Sequence, residues 1–381
     1  LRQSTTGLAA QALGAENGTE ARAIFARCIA IVIATCLMLW GFQGMIFSAA
    51  ERLIEASAEV EQFAAIYFHI RIWAAPAELL NFAIVGWLLA AKDTRGVLIQ
   101  QVFTNGMNIA LNLWFVWGLG MTIDGVALAS LIAQYSGMVL GLWLMRAPLK
   151  RIVGTWQLDT ILDRVQIKRM MGMNVDIFIR TIVLLSAFAW FTAESAKMGD
   201  SVLAANTILI QFLFFIAFSL DGFAHAVEVL SGHSVGRKNY REFQDAVKVS
   251  TQMAAICSVL MAVFIGLSDS WMIGLFTNLN DVIEVTRAHW WGVTLLPLVA
   301  VWSFQLDGIF FGLTQTKYSR NMMIVSALIF VGVGWFLVPI WENHGLWIAF
   351  TIFMGMRGIT LGLVYPRVRK KVFPCPTVAN S

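Results

Sequence analysis

The sequence predicts an all-α polytopic membrane protein, and three observations carry that prediction. The first is composition: 58% of residues are hydrophobic and only 13% charged, about half the charge of a soluble domain. The second is the recurrence of long apolar runs along the whole chain, each able to cross a hydrocarbon core about 30 Å thick as a helix. The third is the segregation of basic residues: with alternating topology, 20 of the 27 Lys and Arg fall on one side and three on the other. That asymmetry is the positive-inside pattern, and it makes the C-terminus cytoplasmic.

The elements follow in order. Residues 1–15 read as the end of a helix. Full spans are expected near 24–48, 62–90, 96–119 and 123–145, and then, after a polar stretch, near 172–198, 202–235, 245–268, 287–312, 321–341 and 345–365. The outer ends are acidic, with Glu51, Glu55, Glu59, Glu61, Asp200, Asp269, Asp281 and Glu284. A basic tail, Arg367 to Lys371, closes the membrane part. The organisation read from this is 1–148 as a first lobe, 149–169 as a cytoplasmic linker, 170–366 as a second lobe and 367–381 as a tail.

Several functions are disfavoured at this level. Cys28, Cys36, Cys257 and Cys375 lie far apart and five histidines are scattered, so no disulfide frame, zinc site or other cofactor site is expected. Without a basic aromatic face no nucleic-acid partner is expected. The clustered acidic or histidine motifs of a membrane transferase are missing too. Nothing demands an oligomer, so a monomer is the expectation.

An internal repeat sharpens the plan. At an offset of 222, Gly14, Asn17 and Glu20 lie over Gly236, Asn239 and Glu242, and Arg95 lies over Lys317. Pro76 matches Pro297 at 221, and Gly125 and Ala129 match Gly345 and Ala349 at 220. The halves are parallel repeats, an arrangement that some secondary transporters use. The repeat also leads to the expectation that ~55 residues, one span and most of another, precede Leu1, which would give six spans per half.

The motifs bear a family resemblance. TTGLAAQALGA (5–15), YFHIRIWAAPAELLNFAIVGWLL (67–89), NGMNIALNLWFVWGLG (105–120), DGVALASLIAQY (124–135), DGFAHAVEVLSGHSVG (221–236) and LPLVAVWSFQLDGIFFGLTQT (296–316) occur in order. In this the chain resembles the multidrug and toxic compound extrusion (MATE) family, in its branch of DNA-damage-inducible proteins F. The resemblance implies a MATE-like fold of two pseudo-symmetric six-helix lobes around a cavity, the first lobe here short by about one and a half helices. It also implies alternating access in a bacterial-type inner (plasma) membrane. Small amphiphilic or cationic organic substrates would leave against inward H⁺ or Na⁺, with membrane lipid the other partner. A lipid or lipid-linked oligosaccharide flippase is the alternative. It should hold more basic residues in its spans than Arg2, Arg71, Arg180 and Arg357.

Ionisable and amide side chains inside spans are the site candidates. Asn108 and Asn112 share one helix face and can coordinate a cation or join neighbouring spans. The resembled family has Asn-x-x-x-Asp here, so Asn112 replaces a titratable group with one that cannot titrate. Asp221, His225 and Glu228 form a polar stripe suited to a hydrated wall and to proton carriage. Asp307, flanked by Trp302, Phe310 and Phe311, suits an organic cation through charge and cation–π attraction, or a packing contact beside Gly308. Asp176 and Arg180, four apart, are expected to pair with each other, with gating as the other reading. Pro76 and Pro297 are read as hinges or ordinary kinks.

Overall fold

The computed structural model describes residues 1–53 and 57–374. Glu55 and Cys375, both considered above, lie outside the described residues. All regular structure described is helical: α1 (Arg2–Gly14), α2 (Gly18–Gly41), α3 (Gln43–Leu53), α4 (Ala58–Arg71), α5 (Ala75–Ala90), α6 (Thr94–Leu113), α7 (Ile123–Arg151), α8 (Leu158–Ile161), α9 (Arg164–Lys197), α10 (Asp200–Gly236), α11 (Tyr240–Leu267), α12 (Asp269–Gly274), α13 (Asn280–Ala288), α14 (Trp290–Gly312) and α15 (Thr316–Val372). A short 3₁₀ turn, Ile72–Ala74, joins α4 to α5, and a π turn, Trp114–Gly118, follows α6.

Among the described residues, eight helices are long and apolar enough to cross a membrane. The sequence reading expected ten. The difference has two sources. First, α15 holds the last two expected spans, broken at Glu342, whose φ of 47° no helix allows. Second, α6 is not among the eight, because Gln100, Gln101, Asn105, Asn108 and Asn112 dilute its apolar residues.

The chain divides into two units, Leu1–Ile167 and Lys168–Ser381. The polar stretch placed at 149–169 is largely helical at its ends, since α7 runs to Arg151 and α9 begins at Arg164. In the second unit the core is aromatic. Phe191 sits edge-on to Trp347 at 5.4 Å between ring centroids, and Phe330 stacks with Phe353 at 5.2 Å. Such pairs add directional attraction beyond area burial.

The repeat is visible in backbone detail. Among the described residues, five non-glycine residues have positive φ: Glu16 (57°), Lys92 (59°), Lys238 (55°), Thr314 (55°) and Glu342 (47°). The first four form two pairs 222 apart, and Gly120 (67°) stands 222 before Glu342. The caps match as well. Asn17 Oδ1 accepts from the Glu20 amide at 2.9 Å, and Asn239 Oδ1 from the Glu242 amide at 3.1 Å, each satisfying an otherwise orphaned helix donor. Close packing repeats too. A Cβ on Gly86 would lie 2.5 Å from the Arg2 carbonyl oxygen, and one on Gly308 would lie 2.3 Å from that of Ala224. Small residues let α5 lie on α1 and α14 on α10, as at other helix contacts in membranes.

Candidate functional site

The second unit concentrates charge on four helices. Asp307, on α14, is buried, and the Gly308 contact holds it against α10. One of its oxygens accepts from Arg180 of α9 and, at 3.1 Å, from Arg357 of α15. The other accepts from Ser319 Oγ at 2.8 Å. Both arginines are buried. Arg180 lies 5.5 Å from the Phe311 ring centroid, and Arg357 lies 5.6 Å from that of Phe304, so aromatic faces replace part of the hydration they give up.

This arrangement corrects the expected Asp176–Arg180 pair. Both residues are on α9, but they engage different helices. Asp176 accepts from Thr316 Oγ1 at 2.9 Å and from Arg320 Nη1 at 2.6 Å. Arg180 goes to Asp307 instead. A carboxylate as buried as Asp307 needs a counter-charge more than Asp176 does, because the desolvation penalty grows with burial. Asp307 is also not open to an organic cation in this arrangement, since two guanidiniums already occupy it.

Asp221, His225 and Glu228 all lie on α10. Glu228 is fully buried, and its Oε2 lies 3.9 Å from His225 Nδ1, a group that is 27% exposed. Asp221 is half-buried one turn before His225. The stripe therefore holds two carboxylates and an imidazole on the helix that α14 packs against.

In the first unit the polar side chains of α6 and the helices beside it are neutral amides and hydroxyls, while the buried Arg27 pairs with Glu20 on α2. Asn112 Nδ2 donates to Asn108 Oδ1 at 3.1 Å, and Asn108 Nδ2 donates to Ser130 Oγ of α7 at 3.0 Å. The stripe runs two turns further than the sequence reading took it. Thr104 donates to the Gln100 carbonyl at 2.8 Å, and Gln100 Nε2 donates to Asn81 Oδ1 at 2.9 Å. Asn81 in turn donates to Gln134 Oε1 and to its backbone carbonyl, both at 2.9 Å. The signal was there: residues 100, 104, 108 and 112 are polar at a spacing of four, which is one helix face. Arg71 and Glu78, both partly exposed, pair at 3.2 Å.

The two prolines differ in setting. Pro76 sits in the first turn of α5, where its missing N–H costs no bond. Pro297 is buried inside α14, where it removes a helical donor. Among the described residues, no group of three or more His, Cys, Asp and Glu could hold a metal ion. Cys28, Cys36 and Cys257 are free thiols.

Comparison with known proteins settles the family. A profile of the MatE family matches residues 1–114 and 177–336. DNA damage-inducible protein F of Escherichia coli (strain K12) is 33% identical over 96% of this chain and 80% of its own length. The chain belongs to the MatE family. It is therefore a transporter of the MATE superfamily, and not a catalytic enzyme, built as an integral multi-pass membrane protein. Multidrug and toxin extrusion protein 1 of Oryctolagus cuniculus is 24% identical over 96% of this MatE chain, which spans 62% of that relative's length. A solved outward-facing multidrug resistance MATE family transporter of the MOP superfamily shares the fold, with a TM-score of 0.89 at 17% identity over 97% of this chain and 84% of that one.

Proposed function

We propose that this protein exports small amphiphilic or cationic organic molecules by alternating access, coupled to inward H⁺ or Na⁺. It would act as a monomer in a bacterial-type inner membrane, with its C-terminus in the cytoplasm. The observation that carries the reading is the gathering of Asp307, Arg180 and Arg357 from three apolar helices of the second unit. Charges are retained at such depth for transport work.

Within that reading the roles divide. Asp221, His225 and Glu228 exchange the coupling ion or meet the cationic substrate. Asp307 is the fixed anion that holds two arginines in place. Asn108 and Asn112 offer neutral oxygen ligands. The flippase alternative is weakened because Arg71, Arg180 and Arg357 are each ion-paired, leaving those three unavailable for a phosphate.

The test is dye efflux from a host lacking its own exporters, with expression confirmed. Wild type should lower accumulation of a cationic dye, and Glu228→Gln should abolish ion-driven efflux without lowering the melting temperature. Unchanged accumulation of every cationic dye tried would overturn the export reading. Wild-type efflux by Glu228→Gln would overturn the assignment of the coupling group.

A further inference from the structure

The segment after α7 forms a site that transport does not call for. Residues 152–161 are held firmly on the start of α2. Arg22 Nη2 donates to the carbonyls of Leu149 at 2.7 Å and Ile152 at 2.8 Å. Thr19 Oγ1 accepts from the Thr155 amide at 3.2 Å. Arg27 donates to the carbonyls of Thr160 and Ile161 while paired with Glu20. Gly18 and Gly154 meet backbone to backbone, and a Cβ on Gly18 would lie 2.2 Å from the Val153 carbonyl oxygen.

The result is an open cleft of about 590 Å³ lined by Arg22, Arg146, Lys150, Val153, Gly154 and Trp156. Its three cations form no ion pair among the described residues. Arg22 instead meets two carbonyls and the Trp156 ring, 5.8 Å from its centroid. Val153, which lines the cleft, is 91% exposed, and further along the chain Leu158 and Val165 are each 73% exposed. Large apolar side chains displayed next to a basic cleft mark a membrane-facing surface. The cleft adjoins the end of α7, a helix apolar enough to cross the bilayer, and so lies at headgroup depth on the side that the basic residues make cytoplasmic.

We propose that this cleft binds the headgroup of an anionic phospholipid of the inner leaflet. Arg146 and Lys150 meet the phosphate, Trp156 packs at the interface, and Leu158 and Val165 reach the acyl region. Charge selects the lipid, while the exposed apolar residues distinguish a lipid from a soluble anion. Asp159 and Asp163, the nearby carboxylates on this segment, are exposed.

Native mass spectrometry of the purified full chain, taken from bilayers of phosphatidylglycerol and phosphatidylcholine, tests this. Wild type should retain phosphatidylglycerol in preference to phosphatidylcholine. Arg146→Gln with Lys150→Gln should lower that retention by about fivefold per charge removed, with the melting temperature unchanged, since both side chains are exposed. Leu158→Ser should lower it as well. Arg95→Gln, a basic residue outside the cleft, should leave it unchanged. Three results would overturn the proposal: wild-type retention by the double variant, an equal loss in Arg95→Gln, or displacement of the lipid by inorganic phosphate alone.

Discussion

The two units share one backbone plan and differ in the polar residues they place at matching positions. Their positive-φ turns, asparagine caps and glycine contacts repeat at a spacing of 222. Their polar interiors do not. Val85 stands 222 residues before Asp307, and Thr6 before Glu228. Conversely, Met322, Phe330 and Gly334 stand where the first unit has Gln100, Asn108 and Asn112. Turn and contact geometry is fixed by sterics that duplication preserves. Interior polarity is set by partner residues, which must change together. The scaffold is therefore shared between halves, while the carboxylates of Asp307 and Glu228 have no counterpart at the matching positions of the first.

The largest expected effect breaks this contrast directly. Asp307→Asn leaves two buried guanidiniums facing a neutral amide and should destabilise the protein by about 3–5 kcal/mol. A lesion in the neutral network of the first unit, Asn81→Leu, strands Gln100 and Gln134 and should cost only about 1–3 kcal/mol. Melting of the detergent-solubilised protein measures both. Combining Asp307→Asn with Arg180→Met should recover part of the loss. Equal losses for the two single variants would mean that the Arg–Asp cluster is no more than another hydrogen-bonded contact.

A smaller effect sharpens the shared half of the comparison. Gly86→Ala and Gly308→Ala each drive a methyl group into a carbonyl oxygen of the facing helix. Overpacking of this kind costs about 1–3 kcal/mol. Because the geometry repeats, the two losses should agree within experimental error. A loss at one position alone would show that the repeat is preserved in backbone trace but not in packing.

The scaffold was largely legible in the sequence because its signals are local. Apolar runs, the charge of each loop and each copy of the Gly/Asn/Glu turn are read from neighbouring residues, and only their comparison spans the chain. The break at Ile72–Ala74 was not legible, since an apolar run does not announce where its helix bends, whereas the break at Glu342 falls between the spans expected at 321–341 and 345–365. At the site, Asp307, Asp221, His225 and Glu228 stood out as charges among apolar residues. Their partners were harder to name. Arg180 is four residues from Asp176 but 127 from Asp307, and only the folded chain shows that burial outweighs proximity in sequence. The neutral network was half-seen for a related reason: Gln100 and Asn81 carry no charge, so within an apolar helix they read as tolerated exceptions until their bonds to one another are known.

The smallest effect belongs to a histidine pair that only the second unit has. His289 and His344 stack with ring centroids 4.2 Å apart, whereas Tyr67 stands 222 residues before His289. His289 lies just before α14, buried, with its Nδ1 2.8 Å from the Val285 carbonyl. That contact fixes the proton on Nδ1, because a carbonyl can only accept. Burial pushes its pKa below the ordinary 6.5, the charge of His344 pushes the same way, and the Val285 carbonyl opposes both. The sign follows from linkage. Between the depressed native value and 6.5 the unfolded chain binds the proton and the native chain does not, so stability rises with pH there. The contribution is fully present above 6.5 and is lost as pH falls below it. Melting of the wild type should therefore weaken on acidification through this window, and His289→Gln should flatten that part of the profile. His344→Ala should flatten it less, because burial, the larger cause, remains. An unchanged slope in His289→Gln would assign the acid sensitivity to other groups and leave the two units alike at their ends.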